Sequence, residues 1–300
     1  MNGIRKARDG RKGWTKRTVP FLCAALLFVG ALALGADDAE IARLMADMAK
    51  DDFAGQRSHD RLVEIGSPAA DALLAGLRSP VPRVRYWSAS AIARIGDQRG
   101  YDPLVALAKD DPDPIVRSTA LWHLQTYGKD AVYDLAVRKL QDTDRMVRGW
   151  AMRLLRENGR TEALPALREL LKSDDVFTRV DAVYAVVALM DSGQLDLLRG
   201  LLADDPNRDI RLQALRCLTT LGHDPRILVL MIDALLDSDV EVRRLAAQLL
   251  RRGTDQVFGY VPTDDEDERR AAAGRWRAWY EKNVEALRWN EEKRRFEIAE

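Results

Sequence analysis

The feature that most constrains this chain is an arginine that recurs at a nearly fixed interval within one short pattern. The pattern reads VRYWSASAIARIG in its first copy and VRRLAAQLLRRG in its last, and successive arginines are 31 or 32 residues apart. The six arginines are Arg85, Arg117, Arg148, Arg179, Arg211 and Arg243. A fixed period in this range predicts a repeat architecture, in which each unit buries its apolar face against the next.

The rest of the pattern predicts a pair of helices in each repeat. The third residue after each arginine is small, which lets two helices approach closely; these residues are Ser88, Ala120, Ala151, Ala182, Ala214 and Ala246. Apolar residues follow at helical spacing, and glycine often ends the segment, where a left-handed C-cap is needed; examples are Gly96, Gly159 and Gly253. Another apolar helix precedes each arginine segment, and an acidic turn such as DDPDP joins the two.

In several copies an aspartate lies six residues before the arginine, and the small residue lies three after it. This pattern resembles the HEAT repeat, especially its short bacterial, phycobilisome-lyase-like form. The matching pairs are Asp111 and Arg117, Asp142 and Arg148, Asp205 and Arg211, and Asp237 and Arg243. The resemblance implies that these residues form a hydrogen-bonded ladder between neighbouring repeats. Serine replaces the aspartate at Ser79 and Ser173, where we expect a weaker ladder.

The resemblance also implies the architecture of the whole chain. It covers roughly residues 50–253 and implies an all-α fold, a right-handed α-solenoid whose second helices line the concave side. We expect irregular N-terminal helices or a first repeat over residues 37–66, HEAT-like repeats over residues 67–253, and a C-terminal cap of helix and hairpin over residues 254–300.

The first 36 residues have the composition of an export segment. Seven Lys and Arg residues precede an uncharged stretch over residues 19–36. Small residues before Asp37 fit cleavage of a signal peptide after Ala36, whereas the length of the uncharged stretch also fits an uncleaved signal anchor. Both interpretations place the remaining chain outside the cytoplasm, in the periplasm or the extracellular space, because the basic end stays inside.

Charge and cysteine content narrow the possible roles. The chain has 47 basic and 47 acidic side chains, but residues 1–36 carry a net +6 and the remainder carries −6. A body of this charge argues against binding nucleic acid, which requires a basic groove. Cys217 is the only cysteine after residue 36, so we expect no intramolecular disulfide and a fold that is held by packing alone.

The sequence lacks the patterns that support catalysis or metal binding. His59, His123 and His223 are far apart, and there is no zincin motif, cysteine pair, nucleophile elbow or phosphate loop. The acidic residues fall in turns between helices, where helix N-capping is their usual role. We therefore predict no catalytic residue, no metal site and no cofactor.

Aromatic and arginine side chains recur one, two and five residues after the repeat arginines. Helical phase puts these positions near the edge of the expected concave face. The candidate binding residues are Tyr86, Trp87, Trp122, Trp150, Arg153, Tyr184, Arg216 and Arg244. One interpretation is a surface that binds a peptide or another protein. The other is that the rings wedge between neighbouring helices as part of the core.

The period stops after Gly253, and an aromatic tail follows. Helical spacing from Glu266 to Asn283 puts Trp276, Trp279 and Tyr280 on one side, and LRWNEEKRRFEI predicts a short hairpin. A repeat array needs a cap over its last apolar face, which is one interpretation of the tail. A docking surface formed by the same three residues is the other.

These features favour a monomeric, non-enzymatic scaffold that binds another protein or a peptide outside the cytoplasm. Contact with a membrane is expected only through an uncleaved N-terminal anchor. An accessory or lyase-like subunit of an enzyme system is the alternative, since short HEAT-like repeats occur in bilin lyases.

Overall fold

A computed structural model describes residues 36–128, 132–190 and 193–299. These residues form 15 α-helices and one β-hairpin. The export segment predicted for residues 1–36 lies outside the described residues except for Ala36, which begins the first helix. In the described ranges, none of the helices combines the length and the apolar character that crossing a bilayer requires.

Fourteen of the helices form seven consecutive pairs. The first helices of the pairs are α1 (Ala36–Asp47), α3 (Ala70–Gly76), α5 (Tyr101–Asp110), α7 (Tyr133–Lys139), α9 (Leu164–Leu170), α11 (Gln194–Asp204) and α13 (Ile227–Asp233). The second helices are α2 (Asp52–Ile65), α4 (Pro82–Ile95), α6 (Pro114–His123), α8 (Arg145–Asn158), α10 (Val176–Leu189), α12 (Arg208–Leu218) and α14 (Val240–Thr254). The chain then continues into helix α15 (Glu266–Asn283) and strands β1 (Leu287–Asn290) and β2 (Arg295–Ile298). The predicted all-α solenoid is confirmed.

Side chains in the acidic turns start the second helices. Asp113, Asp144 and Asp239 each accept hydrogen bonds from two main-chain N–H groups in the first turn that follows. At the other end, the expected glycine C-cap at Gly253 is wrong, because α14 continues to Thr254. The buried Thr254 hydroxyl donates to the Leu250 carbonyl at 2.7 Å, which keeps this last residue helical.

Close packing of the second helices holds the array together. Each second helix contacts the next more extensively than consecutive first helices contact each other. The small residues three positions after the repeat arginines are all fully buried in this layer: Ser88, Ala120, Ala151, Ala182, Ala214 and Ala246. Small side chains there allow the backbones of neighbouring helices to approach.

The repeat arginines fix the turns and join neighbouring repeats. In all six copies Nη1 donates to the main-chain carbonyl of the residue six positions earlier. Three arginines also make bidentate hydrogen bonds of 2.7 to 3.0 Å with the aspartate of the following repeat; the pairs are Arg85–Asp111, Arg117–Asp142 and Arg211–Asp237. A fork of this geometry gives both strength and orientation to the link.

The two serines change the ladder and keep the turn. At Ser173, Arg148 donates instead to the hydroxyl of Thr178 in the following helix, at 2.8 Å. At Ser79, the preceding Arg57 is exposed, and its guanidinium lies over an aromatic ring of its own helix. Both serine hydroxyls still accept a main-chain N–H from two residues further on. Serine therefore preserves the turn, and at Ser173 the link between repeats passes through Thr178 and Asp175 instead.

A discontinuity in both the ladder and the core lies at α10. No hydrogen bond joins Arg179 to Asp205 in the described part of the chain, although the sequence offers this pair. The buried side chains also divide here into two clusters, with Ala182 and Val186 in the N-terminal cluster and Val183 and Val187 in the C-terminal one. Helix α10 therefore contributes alternate faces to two halves of the core.

The C-terminal segment closes the last repeat. Arg243 donates from Nε to the main-chain carbonyl of Pro262 at 2.9 Å, so the tail supplies the acceptor that a following repeat would supply. Helix α15 packs against α13, and β2 packs against α14. Trp276 is only 3% exposed and meets Phe258 edge to face, with ring centroids 4.7 Å apart. The predicted helix-and-hairpin cap is confirmed.

Candidate binding face

Two of the predicted tryptophans and one arginine form a stacked group on the second-helix face. Trp122 from α6 and Trp150 from α8 lie with ring centroids 4.5 Å apart. The guanidinium of Arg153 lies over both rings, at 4.6 Å from the Trp122 centroid and 5.2 Å from the Trp150 centroid. Its Nε donates to Glu157 at 2.8 Å, which orients the guanidinium. Both indoles are half-buried, so they pack on the core and also remain partly accessible.

Tyr184 extends this group onto the next repeat. It is 39% exposed, and the guanidinium of Arg156 lies over its ring at 4.4 Å. We call the set of Trp122, Trp150, Arg153, Arg156 and Tyr184 the central patch. An open cavity of about 260 Å³ lies within it, lined by Met146, Gly149, Trp150, Met152, Arg153, Arg156, Asp181 and Tyr184.

A carboxylate that the sequence analysis missed lies in this cavity. Asp181 is exposed, and it makes no hydrogen bond within the described residues. The protein that surrounds it raises the pKa of its carboxyl above the ordinary value, an effect that Arg145 and Arg156 oppose. A side chain added at Gly149 would come within 3.3 Å of Asp181 Oδ2, so the glycine leaves this carboxylate uncovered.

Trp87 and Tyr86 belong to a separate group near the N-terminus. Their rings meet edge to face at 4.7 Å, and His59 lies 5.3 Å from Trp87. The Trp87 indole N–H is buried without a hydrogen-bond partner, and a side chain at Gly55 would clash with it at 2.1 Å. No ring contact joins this group to Trp122 in the described ranges. Trp87 is therefore wedged against α2 at its indole N–H edge, although the side chain as a whole is half-buried, like Trp122 and Trp150.

The two histidines of this region are both held neutral by burial. His59 bonds Asp60 at 2.9 Å and the Ser90 hydroxyl at 3.0 Å. Burial lowers the pKa of His59, and hydrogen bonding to Asp60 only partly opposes that effect. Burial also lowers the pKa of His123 to about 4, with smaller contributions from His59 and Arg94. Both rings are therefore neutral near pH 7.

The two later arginines lie on repeats beyond the central patch. Arg216 on α12 and Arg244 on α14 are both exposed. Arg244 forms an ion pair with Glu241 of its own helix. Neither residue shares an aromatic stack with the central patch in the described residues.

A row of exposed apolar residues borders the central patch, and the sequence analysis did not single it out. The second residue of α6, α8 and α10 is apolar and exposed by 40%, 52% and 59%, respectively; these are Ile115, Met146 and Phe177. The corresponding residues in α4, α12 and α14 are charged: Arg83, Asp209 and Glu241. The contrast is visible in the sequence, because all six residues lie two positions before a repeat arginine.

The tail aromatics mainly cover the last repeat. Trp276 is buried, and Trp279 and Tyr280 are half-buried. Trp279 contacts both Trp276 and Phe258, with ring centroids 6.1 Å apart in each case. These contacts support the cap interpretation for Trp276 and leave only parts of the other two rings accessible.

The described residues offer little catalytic chemistry. No group of three His, Cys, Asp or Glu side chains in this part of the chain is arranged to hold a metal ion. Cys217 is buried, and burial raises the pKa of its thiol to about 11, with Gln213 and Arg216 opposing the shift. A thiol in this state is a weak nucleophile.

The stacked helix pairs and their arginine links define an α-solenoid of helical repeats. The family model described as HEAT repeats matches residues 32–125 and 133–219. The chain therefore belongs to the HEAT repeat family. Comparison with curated proteins finds no match.

Solved structures share this fold at low sequence identity. The X-ray structure of Escherichia coli YibA is 18% identical, with a TM-score of 0.53, and the match covers 88% of this chain and 99% of that one. The CpcE–CpcF complex of phycocyanin lyase from Nostoc sp. PCC7120 is 21% identical, with a TM-score of 0.32, and the match covers 60% of this chain and 99% of that one. These likenesses concern the fold alone.

Proposed function

We propose that this protein is a non-enzymatic scaffold whose central patch binds a segment of another protein. The observation that carries the proposal is the open cavity of about 260 Å³ between partly accessible aromatic rings. This volume is below the roughly 300–1,000 Å³ typical of small-molecule pockets, so it suits a side chain of a partner better than a free metabolite. Tryptophan, tyrosine and arginine are also the residues that most often dominate binding energy at protein interfaces.

The exposed row of Ile115, Met146 and Phe177 supports the same proposal. These residues lie on the three helices that carry the central patch, and exposed apolar side chains on adjacent repeats form a contiguous patch of the kind that marks interaction sites. Repeats on either side carry charged residues at the equivalent position. The row of three is therefore interrupted by charge at α4 and α12, and α2 again carries an exposed apolar second residue, Phe53.

We also propose that binding takes place outside the cytoplasm. The support is the sequence of residues 1–36, with its basic start and uncharged stretch. Protease treatment of intact spheroplasts should degrade the full chain, and a variant that lacks residues 19–36 should be protected. Equal protection of the two chains would contradict export.

Site-specific photo-crosslinking in cells tests the binding proposal. Phe177 is replaced by p-benzoylphenylalanine in the full chain. The matched control carries the same group at Phe53, which is 71% exposed and lies beneath the guanidinium of Arg57 in its own helix. We expect a discrete protein adduct from position 177 and none from position 53. The adduct should disappear when Trp122 and Tyr184 are both replaced by alanine.

Two results would contradict the proposal. One is equal crosslinking from positions 53 and 177, and the other is an adduct that persists in the Trp122→Ala, Tyr184→Ala variant. Circular dichroism and the melting temperature of that variant show whether the fold is retained, and Arg156→Ala provides a second, half-buried substitution in the same patch if it is not.

A further inference from the structure

Helix α8 presents three guanidinium groups that each lie over an aromatic ring. Arg145 lies over Phe177 at 4.3 Å, Arg153 lies over Trp122 at 4.6 Å, and the third, Arg156, lies over a tyrosine at 4.4 Å. Stacking restricts a guanidinium to one plane and leaves its N–H edge free to hydrogen-bond within that plane. We infer that the segment bound by the central patch is acidic and extended, with carboxylates that pair with these arginines.

The donors of these arginines are largely unoccupied. No hydrogen bond from Arg145 or Arg156 is present within the described residues, and the nearest carboxylate oxygen to Arg156, on Glu157, is 3.8 Å away. Arg153 uses only Nε, in its bond to Glu157. Asp181 accepts from none of the three. Several N–H groups can therefore receive a carboxylate, and paired N–H groups of arginine match its two oxygens.

The local charge favours an acidic partner over a basic one. The patch and the residues beside it include Arg145, Arg153 and Arg156 against Glu157 and Asp181, a net of +1, whereas residues 37–300 together carry −6. A negatively charged body repels a long polyanion such as nucleic acid, which needs many phosphate contacts. A short acidic peptide makes only a few contacts and is therefore less affected by that repulsion.

The apolar row sets the expected spacing of the bound segment. Neighbouring packed helices are roughly 8 to 10 Å apart, and an extended chain advances about 3.3 Å per residue. Ile115, Met146 and Phe177 lie on consecutive second helices, so apolar side chains about three residues apart would reach them in turn. We therefore expect a segment of roughly eight residues in which acidic and apolar residues recur with that spacing.

The inference rests on the proposed binding function. Selection from a random peptide library distinguishes a failure of the acidic specificity from a failure of the binding function. The full chain is immobilised through a C-terminal tag, and displayed random peptides are selected for binding to it. The peptides have about twelve residues, which exceeds the expected site length. We expect enriched sequences to combine Asp or Glu with large apolar residues. Enrichment of basic or uncharged peptides would overturn the acidic specificity and leave the binding function standing, whereas no enrichment at all would overturn both.

Titration of one enriched peptide, labelled with fluorescein, assigns the contacts. The Arg145→Gln, Arg156→Gln variant should bind it about tenfold or more weakly, since charge-assisted hydrogen bonds are lost. The matched control, Arg168→Gln with Arg199→Gln, removes two exposed arginines from first helices and should change affinity by less than about twofold. Equal losses in the two variants, or tight binding of a single-stranded oligonucleotide that depends on the same α8 arginines, would overturn the inference.

Discussion

Arg117 holds the carboxylate of Asp142 with two hydrogen bonds, from Nε to Oδ2 at 3.0 Å and from Nη2 to Oδ1 at 2.7 Å. Lys139 adds a bond to Oδ2 at 3.0 Å. Arg117 belongs to α6, and Asp142 precedes α8, so the pair crosses the boundary between two repeats. The stability of the array should therefore depend on how completely each ladder arginine is paired.

Alanine substitution of three ladder arginines should give a graded loss of stability. Arg85→Ala should lower the free energy of unfolding by roughly 3 kcal/mol, because it leaves the buried Asp111 without its cation. Arg117→Ala should cost less, roughly 2 kcal/mol, because Lys139 still pairs with Asp142. Urea denaturation measures both changes.

Arg179→Ala is the matched control for this series. Arg179 donates only to main-chain carbonyls in the described residues, so its loss should cost about 1 kcal/mol or less. Equal losses for all three substitutions would show that the aspartate link contributes nothing beyond fixing the turn.

The Arg117–Asp142 pair should make stability depend on pH in the acid range. Burial alone would raise the pKa of Asp142, but hydrogen bonds from Arg117, the Asp144 main-chain N–H and Lys139 outweigh burial and lower it to about 2. Because the folded pKa lies below the unfolded value of about 4, this stabilisation is complete above that value and is lost as the pH falls toward 2. The difference in unfolding free energy between the wild type and Asp142→Asn should therefore shrink by roughly 2 kcal/mol between pH 5 and pH 2.

A difference that stays constant over this range would contradict the depressed pKa of Asp142. Comparing the two chains at each pH cancels the contributions of other carboxyl groups, including Glu297 in the tail, whose pKa is also held low by Lys293 and Arg295.

The same glycine-to-alanine change should have opposite effects at two positions. Gly55→Ala should destabilise the protein by about 1 to 3 kcal/mol, because the new methyl group overlaps the Trp87 indole. Gly200→Ala meets no atom within 4 Å and lies inside α11, so it should stabilise the protein by about 0.5 to 1 kcal/mol. Thermal denaturation compares the two, and a neutral Gly55→Ala variant would show that Trp87 is not wedged in solution.

The buried tryptophan of the tail should matter more for stability than its neighbour. Trp276→Ala should cost about 3 to 5 kcal/mol, because it opens a cavity between α15 and the last repeat. Trp279→Ala should cost clearly less, since Trp279 is half-buried. Chemical denaturation of both variants checks the order, and the reverse order would assign the capping contact to Trp279.

The Cys217 thiol should be unreactive in the folded protein. Its buried position raises its pKa to about 11, so little thiolate is present at pH 8. Iodoacetamide should label the native chain very slowly and the urea-unfolded chain rapidly, as followed by mass spectrometry. Rapid labelling under native conditions would contradict the packing around α12.

Part of the candidate site was accessible from the sequence. Helical phase selected Trp122, Trp150 and Arg153, which the structure brings into one stack. Arg156 lies near one helical turn beyond Arg153, so helical periodicity also places it on this face. It is eight residues after the repeat arginine, outside the three positions that define the candidate set. Asp181 occupies position two of its own repeat, but aromatic residues and arginines alone define the candidate set at these positions.

Which neighbours each aromatic ring contacts was not predictable in this way. Trp87 and Trp150 occupy the same position of the repeat pattern. Trp87 is wedged because Gly55 on the preceding second helix leaves room for its indole, whereas Trp150 stacks on Trp122 beside an open cavity. The difference depends on side chains of another repeat, which the local pattern does not contain.

The sequence by itself determined the solenoid, the positions of its turns and the residue types of its ladder. These features depend on local geometry: an aspartate that caps a helix, an arginine that reaches its own turn, and a small residue where two helices meet. Only the tertiary structure decided which arginines find a partner in the next repeat, and where accessible rings and guanidinium groups converge on α8. Those outcomes depend on distances between residues some 30 positions apart, such as Arg148 and Thr178, and only packing fixes such distances.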